Sequence, residues 1–257
     1  MGNKRPLILV CNDDGITAPG IAALVEVMQE LGDVVVVAPD SPQSGMGHAI
    51  TITKPLRLYE SSVFGPNVPS YQCSGTPADC VKLAVDKVLH RKPDLLVSGI
   101  NHGSNSSINV IYSGTMSAAV EGAIEGIPAI GFSLLDFNYK ANFTPSKAIV
   151  RKVAQNVLKE GMPIDVLLNV NIPNVPSDEI KGIKVCRQAR ANWVEEFDER
   201  QDPYERKYYW LTGKFINMDK GEDTDEWALK NNYVSVVPVQ FDLTAHHAIG
   251  TLNNWDL

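Results

Sequence analysis

Two adjacent carboxylates, Asp13 and Asp14, follow the first strongly apolar run of the chain, Leu7-Ile8-Leu9-Val10-Cys11, within the segment Asn12-Asp13-Asp14-Gly15. Carboxylates placed side by side repel each other, and a hard cation held between them and other oxygen ligands relieves that repulsion. A solvated acidic turn, with Asp14-Gly15 supplying the turn chemistry, is the competing reading of the same residues. Further oxygen ligands stand at Ser44, in Ser44-Gly45, and at Asn101, in Ser98-Gly99-Ile100-Asn101. Asp13, Asp14, Ser44 and Asn101 offer carboxylates, a hydroxyl and an amide carbonyl, a set suited to Mg²⁺, Mn²⁺ or Ca²⁺ and poorly suited to zinc. Such a set leaves coordination positions open for water and a substrate oxygen, as catalysis requires.

A second kind of site is an anion cradle. Tyr112-Ser113-Gly114-Thr115 runs directly into a helical pattern, so free N–H groups and the positive end of the helix dipole lie beside the Ser113 and Thr115 hydroxyls. An ordinary Ser/Thr N-cap accounts for the same residues. Joined to an oxygen-rich metal set on one sheet edge, the phosphate reading gains, with Gly45 and Asn101 as further contacts. His48 and His102 flank these loops and could reach a phosphate or leaving group; surface hydrogen bonding is the plainer role for each. Asp242 and His246, four residues apart, read as a local pair at a helix start. No G-x-G-x-x-G follows the first strand, and no G-x-x-x-x-G-K-[ST] occurs, which weighs against dinucleotide and P-loop chemistry.

These residues need elements to position them. The run 7–11 reads as a buried parallel strand, and ligands in open α/β sheets bind beyond the carboxyl ends of such strands. Ile21, Leu24, Val25 and Met28 recur at helical spacing over residues 18–31, and Val34-Val35-Val36-Val37 is a second strand. A Gly/Ser/Pro-rich loop follows from Pro39 to Gly47, then an alternating, extended segment over 49–59. A helix over 77–89 starts with Thr76 as N-cap, Pro77 at its first position and Asp79 completing a capping box. Strands at 94–98, 129–132 and 166–170 alternate with helices at 116–125 and 145–159. This alternation predicts an α/β fold, a mostly parallel sheet with helices on both faces, to about residue 175. Beyond it, 181–217 read as strands around an acidic, aromatic connection from Glu195 to Trp210. Such a hairpin would project from the core. A helix at 223–231, a strand at 233–239 and a short helical tail complete the chain. The expected organisation is a core over 1–175 with a hairpin and C-terminal arm over 176–257 packed on it.

The chain has 257 residues, with 44% hydrophobic and 21% charged content, ordinary for a globular protein. No apolar stretch approaches the roughly 20 residues that a membrane helix needs. Met-Gly-Asn-Lys-Arg-Pro leads straight into the first strand, so no signal peptide is expected. Cys11, Cys73, Cys80 and Cys186 show no metal-type spacing, and buried free thiols in the cytoplasm are expected. A net charge of −7 argues against a nucleic-acid polymer as partner and leaves a small anion open.

The chain resembles the family of the stationary-phase survival protein SurE. The runs that carry the resemblance are Ile8 through Gly15, Ala38-Pro39-Asp40 through Ser44-Gly45, Cys73 through Cys80, Val97 through Asn105 and Tyr112 through Thr115. Asn169-Val170-Asn171-Ile172-Pro173, Tyr208-Tyr209-Trp210, Tyr233-Val234-Ser235-Val236 and Asp242-Leu243-Thr244 continue it. The resemblance implies a Rossmann-like core with a projecting hairpin and C-terminal arm. It also implies hydrolysis of nucleoside 5′-monophosphates with a divalent metal, one per chain, and in some members activity on 3′-nucleotides or short polyphosphate. Metal ligands carried over by motif fall on Asp13, Asp14, Ser44 and Asn101. Assembly into dimers or tetramers through exchanged arms is implied as well, and it agrees with the aromatic residues crowded into 181–257. In one place the sequence departs from the family: Ser107-Ile108-Asn109-Val110 is neutral where an acidic residue often precedes the Tyr-Ser-Gly-Thr run.

Three other readings compete. An aspartyl-phosphate phosphatase using Asp13 would show a second acid two residues on, where this chain has Gly15. A phospho-receiver would need a lysine in Gly131-Phe132-Ser133-Leu134. A non-catalytic nucleotide sensor differs only in lacking turnover.

Overall fold

The computed structural model describes residues 5–256; Met1 to Lys4, part of the start read above as free of a signal peptide, lie outside it. The first apolar run forms β1 (Leu7–Cys11), whose side chains alternate between two cores: Ile8 and Val10 face one, Leu9 and Cys11 the other. A strand buried on both faces needs cover on both, and the chain supplies it. Helix α1 (Pro19–Leu31) opens with proline in its first turn and buries Ile21, Leu24, Val25 and Met28 against the first core. Strand β2 (Asp33–Pro39) follows, then β3 (Leu58–Ser61) and β4 (Ser70–Cys73). Helix α2 (Pro77–Leu83) begins in a capping box in which Asp79 N–H donates to Thr76 Oγ1 at 3.2 Å and Thr76 N–H to Asp79 Oδ2 at 2.9 Å. It continues as one wider turn over Ala84–Val88.

The second half adds β5 (Leu95–His102), the short α3 (Asn109–Tyr112), α4 (Gly114–Ile124), β6 (Ala129–Leu134), α5 (Ser146–Glu160) and β7 (Val166–Ile172). Then come β8 (Gly182–Val185), β9 (Ala191–Gln201), β10 (Lys207–Asn217), α6 (Asp225–Lys230), β11 (Tyr233–Gln240) and α7 (His246–Leu252). Nine strands form one sheet in the order β3-β4-β2-β1-β5-β6-β7-β11-β8. Only the β3–β4 and β7–β11 pairs are antiparallel. Helices α1 and α5 cover one face; α2 and α4 cover the other. The sheet runs past residue 175, because β11 and β8 extend it beyond β7. The chain leaves β1 toward β2 on one side and returns to β5 on the other, so the carboxyl end of β1 is a topological switch point.

One local expectation gains detail and one needs correction. Of the segment 49–59, only Leu58 and Tyr59 fall in a strand. The rest is pinned to the head of α2, with Thr51 N–H donating to Asp79 Oδ1 and Thr76 Oγ1 donating to Ala49 O. The stretch Glu195 to Trp210 is mostly strand rather than connection, since β9 and β10 pair from Ala191↔Asn217 to Gln201↔Lys207. Its two faces are both largely solvated, so it lacks the inward–outward alternation that marks a strand in a sequence.

Candidate active site

Asp13 lies just past the end of β1 and is 4% exposed. The Thr115 hydroxyl donates to its Oδ1 at 2.5 Å. Gly114 packs so closely that a Cβ there would come within 2.6 Å of the Asp13 Cβ; only glycine permits the head of α4 to approach this carboxylate. Burial first, and the Asp14 charge second, push the Asp13 carboxyl up to about 6, against the pull of the Thr115 hydroxyl and backbone N–H. Asp14 is also raised by burial, opposed by His102, whose backbone N–H faces Asp14 Oδ2 at 3.4 Å.

The other sequence-derived residues gather around this pair. Asn101 sits near the end of β5, past an irregularity in its pairing with β6. Its side-chain NH₂ donates to the carbonyls of His102 and Gly103, at 3.2 and 2.9 Å, and the amide Oδ1 has no donor among the described residues. Gln43 N–H donates to the Asp13 carbonyl at 2.7 Å, tying the start of the loop to the site; Ser44 and Gly45 follow, both exposed. Ser113 caps α4 by accepting from Met116 N–H at 3.0 Å. The Ser113 and Thr115 hydroxyls are therefore each engaged, one in the cap and one on Asp13. The first N–H of the helix, that of Gly114, has no acceptor among the described residues.

The donor set fits a hard divalent ion. Among the described residues no group of three or more His, Cys, Asp or Glu is placed to hold a metal. A cation here would rest on two carboxylates and neutral oxygens, the chemistry of Mg²⁺ or Mn²⁺ rather than zinc. The penalty on both carboxylates is the observation in favour: burial raises each, the Asp14 charge adds to the cost at Asp13, and positive charge between them would offset it.

The two histidines separate. His102 stays beside Asp14, with Nδ1 3.0 Å from the Asn138 carbonyl and its ring between Tyr139 and Phe143. His48 turns away: its Nε2 lies 2.9 Å from Oε2 of Glu121, whose other oxygen takes Lys82 Nζ at 2.6 Å. Burial raises the Glu121 carboxyl, but the His48 and Lys82 contacts overcome this and hold it below its ordinary value. This cluster pins the end of the Ser44 loop to α4, as does Ser117 Oγ donating to Gly47 O, while Gly47 N–H donates to Tyr112 O at the end of α3. The sequence reading missed Glu121. Its signal was present, a lone carboxylate among the small and apolar residues Ala118, Ala119, Gly122 and Ala123. The Asp242–His246 pair forms as expected, at 2.8 Å.

Comparison with known proteins places this geometry. The family model described as survival protein SurE matches residues 8–195. The 5′-nucleotidase SurE of Christiangramia forsetii is 68% identical over 258 residues, covering 100% of this chain and 99% of its own. That of Bacteroides fragilis is 48% identical, with 100% of each chain covered. The crystal structure of SurE protein from Aquifex aeolicus superposes with a TM-score of 0.84 at 42% identity, over 96% of this chain and 98% of that one.

Proposed function

This chain belongs to the survival protein SurE family, and from that premise we propose that it is a 5′-nucleotidase, a metal-dependent phosphomonoesterase that converts nucleoside 5′-monophosphates to nucleoside and phosphate. The observation that carries the reading is the buried pair Asp13–Asp14 at the switch point, with the head of α4 packed directly on Asp13. Asp13, Asp14, Ser44 and Asn101 are the residues that would hold one Mg²⁺ or Mn²⁺ per chain. When bound, the ion supplies charge neutralisation at the phosphoryl group and makes a nucleophile of water near neutral pH. Asp13 or Asp14 orients the attacking water or accepts its proton. Thr115 fixes the Asp13 carboxylate in place. The Gly114 N–H and the dipole of α4 face the charge that spreads over the equatorial phosphoryl oxygens, with Gly45 and Asn101 as further contacts. The proposal extends to 3′-nucleotides, which carry the same phosphomonoester bond, and to short polyphosphate, whose terminal phosphoryl group leaves an anhydride for water with the same spread of charge over its oxygens.

A panel of nucleoside monophosphates, each assayed with Mg²⁺ and Mn²⁺ before and after chelation, tests this. Turnover is expected with metal, disappearing in EDTA and returning on re-addition. Full activity after exhaustive chelation would refute the metal assignment. Metal-replete protein that binds nucleotides without releasing phosphate would instead be the sensor. A trapped phospho-enzyme would favour Asp13 as nucleophile.

The wider reading follows the same premise. Exposed Phe197, Tyr209, Trp210 and Trp255 support a homodimer or tetramer formed through residues 176–257. Four buried, unpaired cysteines support a reducing, cytoplasmic setting. Among the described residues no helix is long and apolar enough to cross a membrane.

A further inference from the structure

Next to the Ser44 loop and the end of α3 the surface opens into a cleft of about 540 Å³ between the core and the β9–β10 hairpin. Gly45 and Tyr112 line its core side; Trp193, Glu195 and Leu211 line its hairpin side. Both core-side residues are continuous with the site already described. Gly45 follows Ser44 in the chain, and Tyr112 immediately precedes the Ser113-Gly114-Thr115 head of α4. The cleft is thereby the concavity that adjoins the head of α4 and the Ser44 loop.

The cleft has the chemistry to receive a flat aromatic ring. Trp193 is held from two sides: its indole N–H donates to Asn109 Oδ1 at 2.8 Å, and its ring meets Phe215 edge-on with centroids 5.5 Å apart. Asn109, in the short α3, thereby fixes the orientation of the indole. A fixed aromatic face costs little further ordering when a base stacks on it. Glu195 adds the polar handle. Among the described residues its carboxylate has no hydrogen bond and no salt bridge, although it stands in the wall of an otherwise largely apolar cleft. A carboxylate accepts and never donates. Its two oxygens match a pair of parallel N–H donors, which guanine presents on its Watson–Crick edge at N1 and at the exocyclic N2, whereas adenine presents only the exocyclic N6 there and uracil only N3.

We propose that this cleft is the nucleobase subsite: the base stacks between Tyr112 and Trp193, and Glu195 selects guanine by accepting from its N1–H and N2–H. The proposal rests on the phosphomonoesterase reading of the neighbouring carboxylates.

The test compares kcat/KM on GMP, AMP, UMP and the base-free ester ribose 5-phosphate, in metal-replete full-length protein. Trp193→Ala is expected to lower the GMP-to-ribose-5-phosphate ratio roughly five- to hundredfold, the range that base–aromatic stacking supports. Trp193→Phe should restore much of it. Glu195→Gln should lower the GMP-to-AMP ratio roughly tenfold, through KM more than kcat, as expected for loss of a charge-assisted pair of hydrogen bonds. An unchanged GMP-to-ribose-5-phosphate ratio in Trp193→Ala overturns the stacking role. An unchanged GMP-to-AMP ratio in Glu195→Gln, whose exposed strand position tolerates the near-isosteric change, overturns the selection. Failure of the underlying reading looks different: wild-type protein would then release phosphate from none of the four esters.

Discussion

Asp13→Asn should make the metal-free protein more stable while abolishing its turnover. The folded protein raises the Asp13 carboxyl from 3.8 to about 6, chiefly through burial and then through Asp14. A carboxyl whose folded value lies above its unfolded value adds stability only while protonated. That contribution is complete below about pH 3.8 and is lost as pH rises through about 6. At about 1.4 kcal/mol per tenfold change in proton affinity, the ionised carboxylate costs the metal-free fold about 3 kcal/mol at pH 8. Asparagine keeps the shape and can still accept from Thr115, but carries no charge to desolvate. In EDTA at pH 8 the variant should gain up to about 3 kcal/mol, or a melting temperature higher by roughly 6–12 °C for a chain of this size. The gap should narrow at pH 5 and close near pH 3.8. Saturating Mg²⁺ should reverse the order, because only the wild type retains both charges to bind it. Urea titrations followed by circular dichroism at several pH values, with and without metal, measure all of this. A wild type that is the more stable protein in EDTA at pH 8, or a gap that does not change with pH, would show that Asp13 bears no such penalty.

Three further outcomes are expected. Glu121→Ala should cost about 2 kcal/mol in urea unfolding, because it removes charge-assisted contacts to the partly exposed His48 and Lys82, which can rehydrate; a loss below about 0.5 kcal/mol would show that the cluster does not hold the loop. Thr115→Val should weaken metal binding more than phosphate inhibition, since its hydroxyl serves Asp13, whereas Ser113→Ala should lose about 1 kcal/mol of helix capping and weaken phosphate inhibition instead; equal effects of both variants on both ligands would contradict this division. Light scattering at micromolar concentration should give at least a dimer mass, and a monomer would refute assembly through exposed Phe197, Tyr209, Trp210 and Trp255.

Much of the fold was legible because its signals are local. The buried run 7–11, the helical spacing of Ile21 to Met28 and the Thr76–Asp79 capping box each declare an element within a few residues, and each forms where its residues place it. What was illegible depends on partners distant in sequence. The extended look of residues 49–59 could not reveal that Asp79 and Thr76 claim their backbone groups before a strand can. The hairpin could not be bounded because strands solvated on both faces have no apolar period to read.

The site divides along the same line. Residue types and strand ends were enough to nominate Asp13, Asp14, Asn101 and the Ser113–Thr115 helix start as neighbours. Roles within that group were not readable, because they depend on which single acceptor each donor finds. Thr115 could have faced a ligand; instead it donates to Asp13 across 102 residues of sequence, and Gly114 exists to let that contact form. The consequence is physical. If the helix head both fixes the ligand carboxylate and presents the Gly114 N–H to an anion, the positions of cation and phosphate are set by one rigid element. A displacement of α4 then disturbs both together, and the buried Glu121, about two turns further along the same helix, is placed to resist that displacement by tying α4 to the loop that carries Ser44 and Gly45.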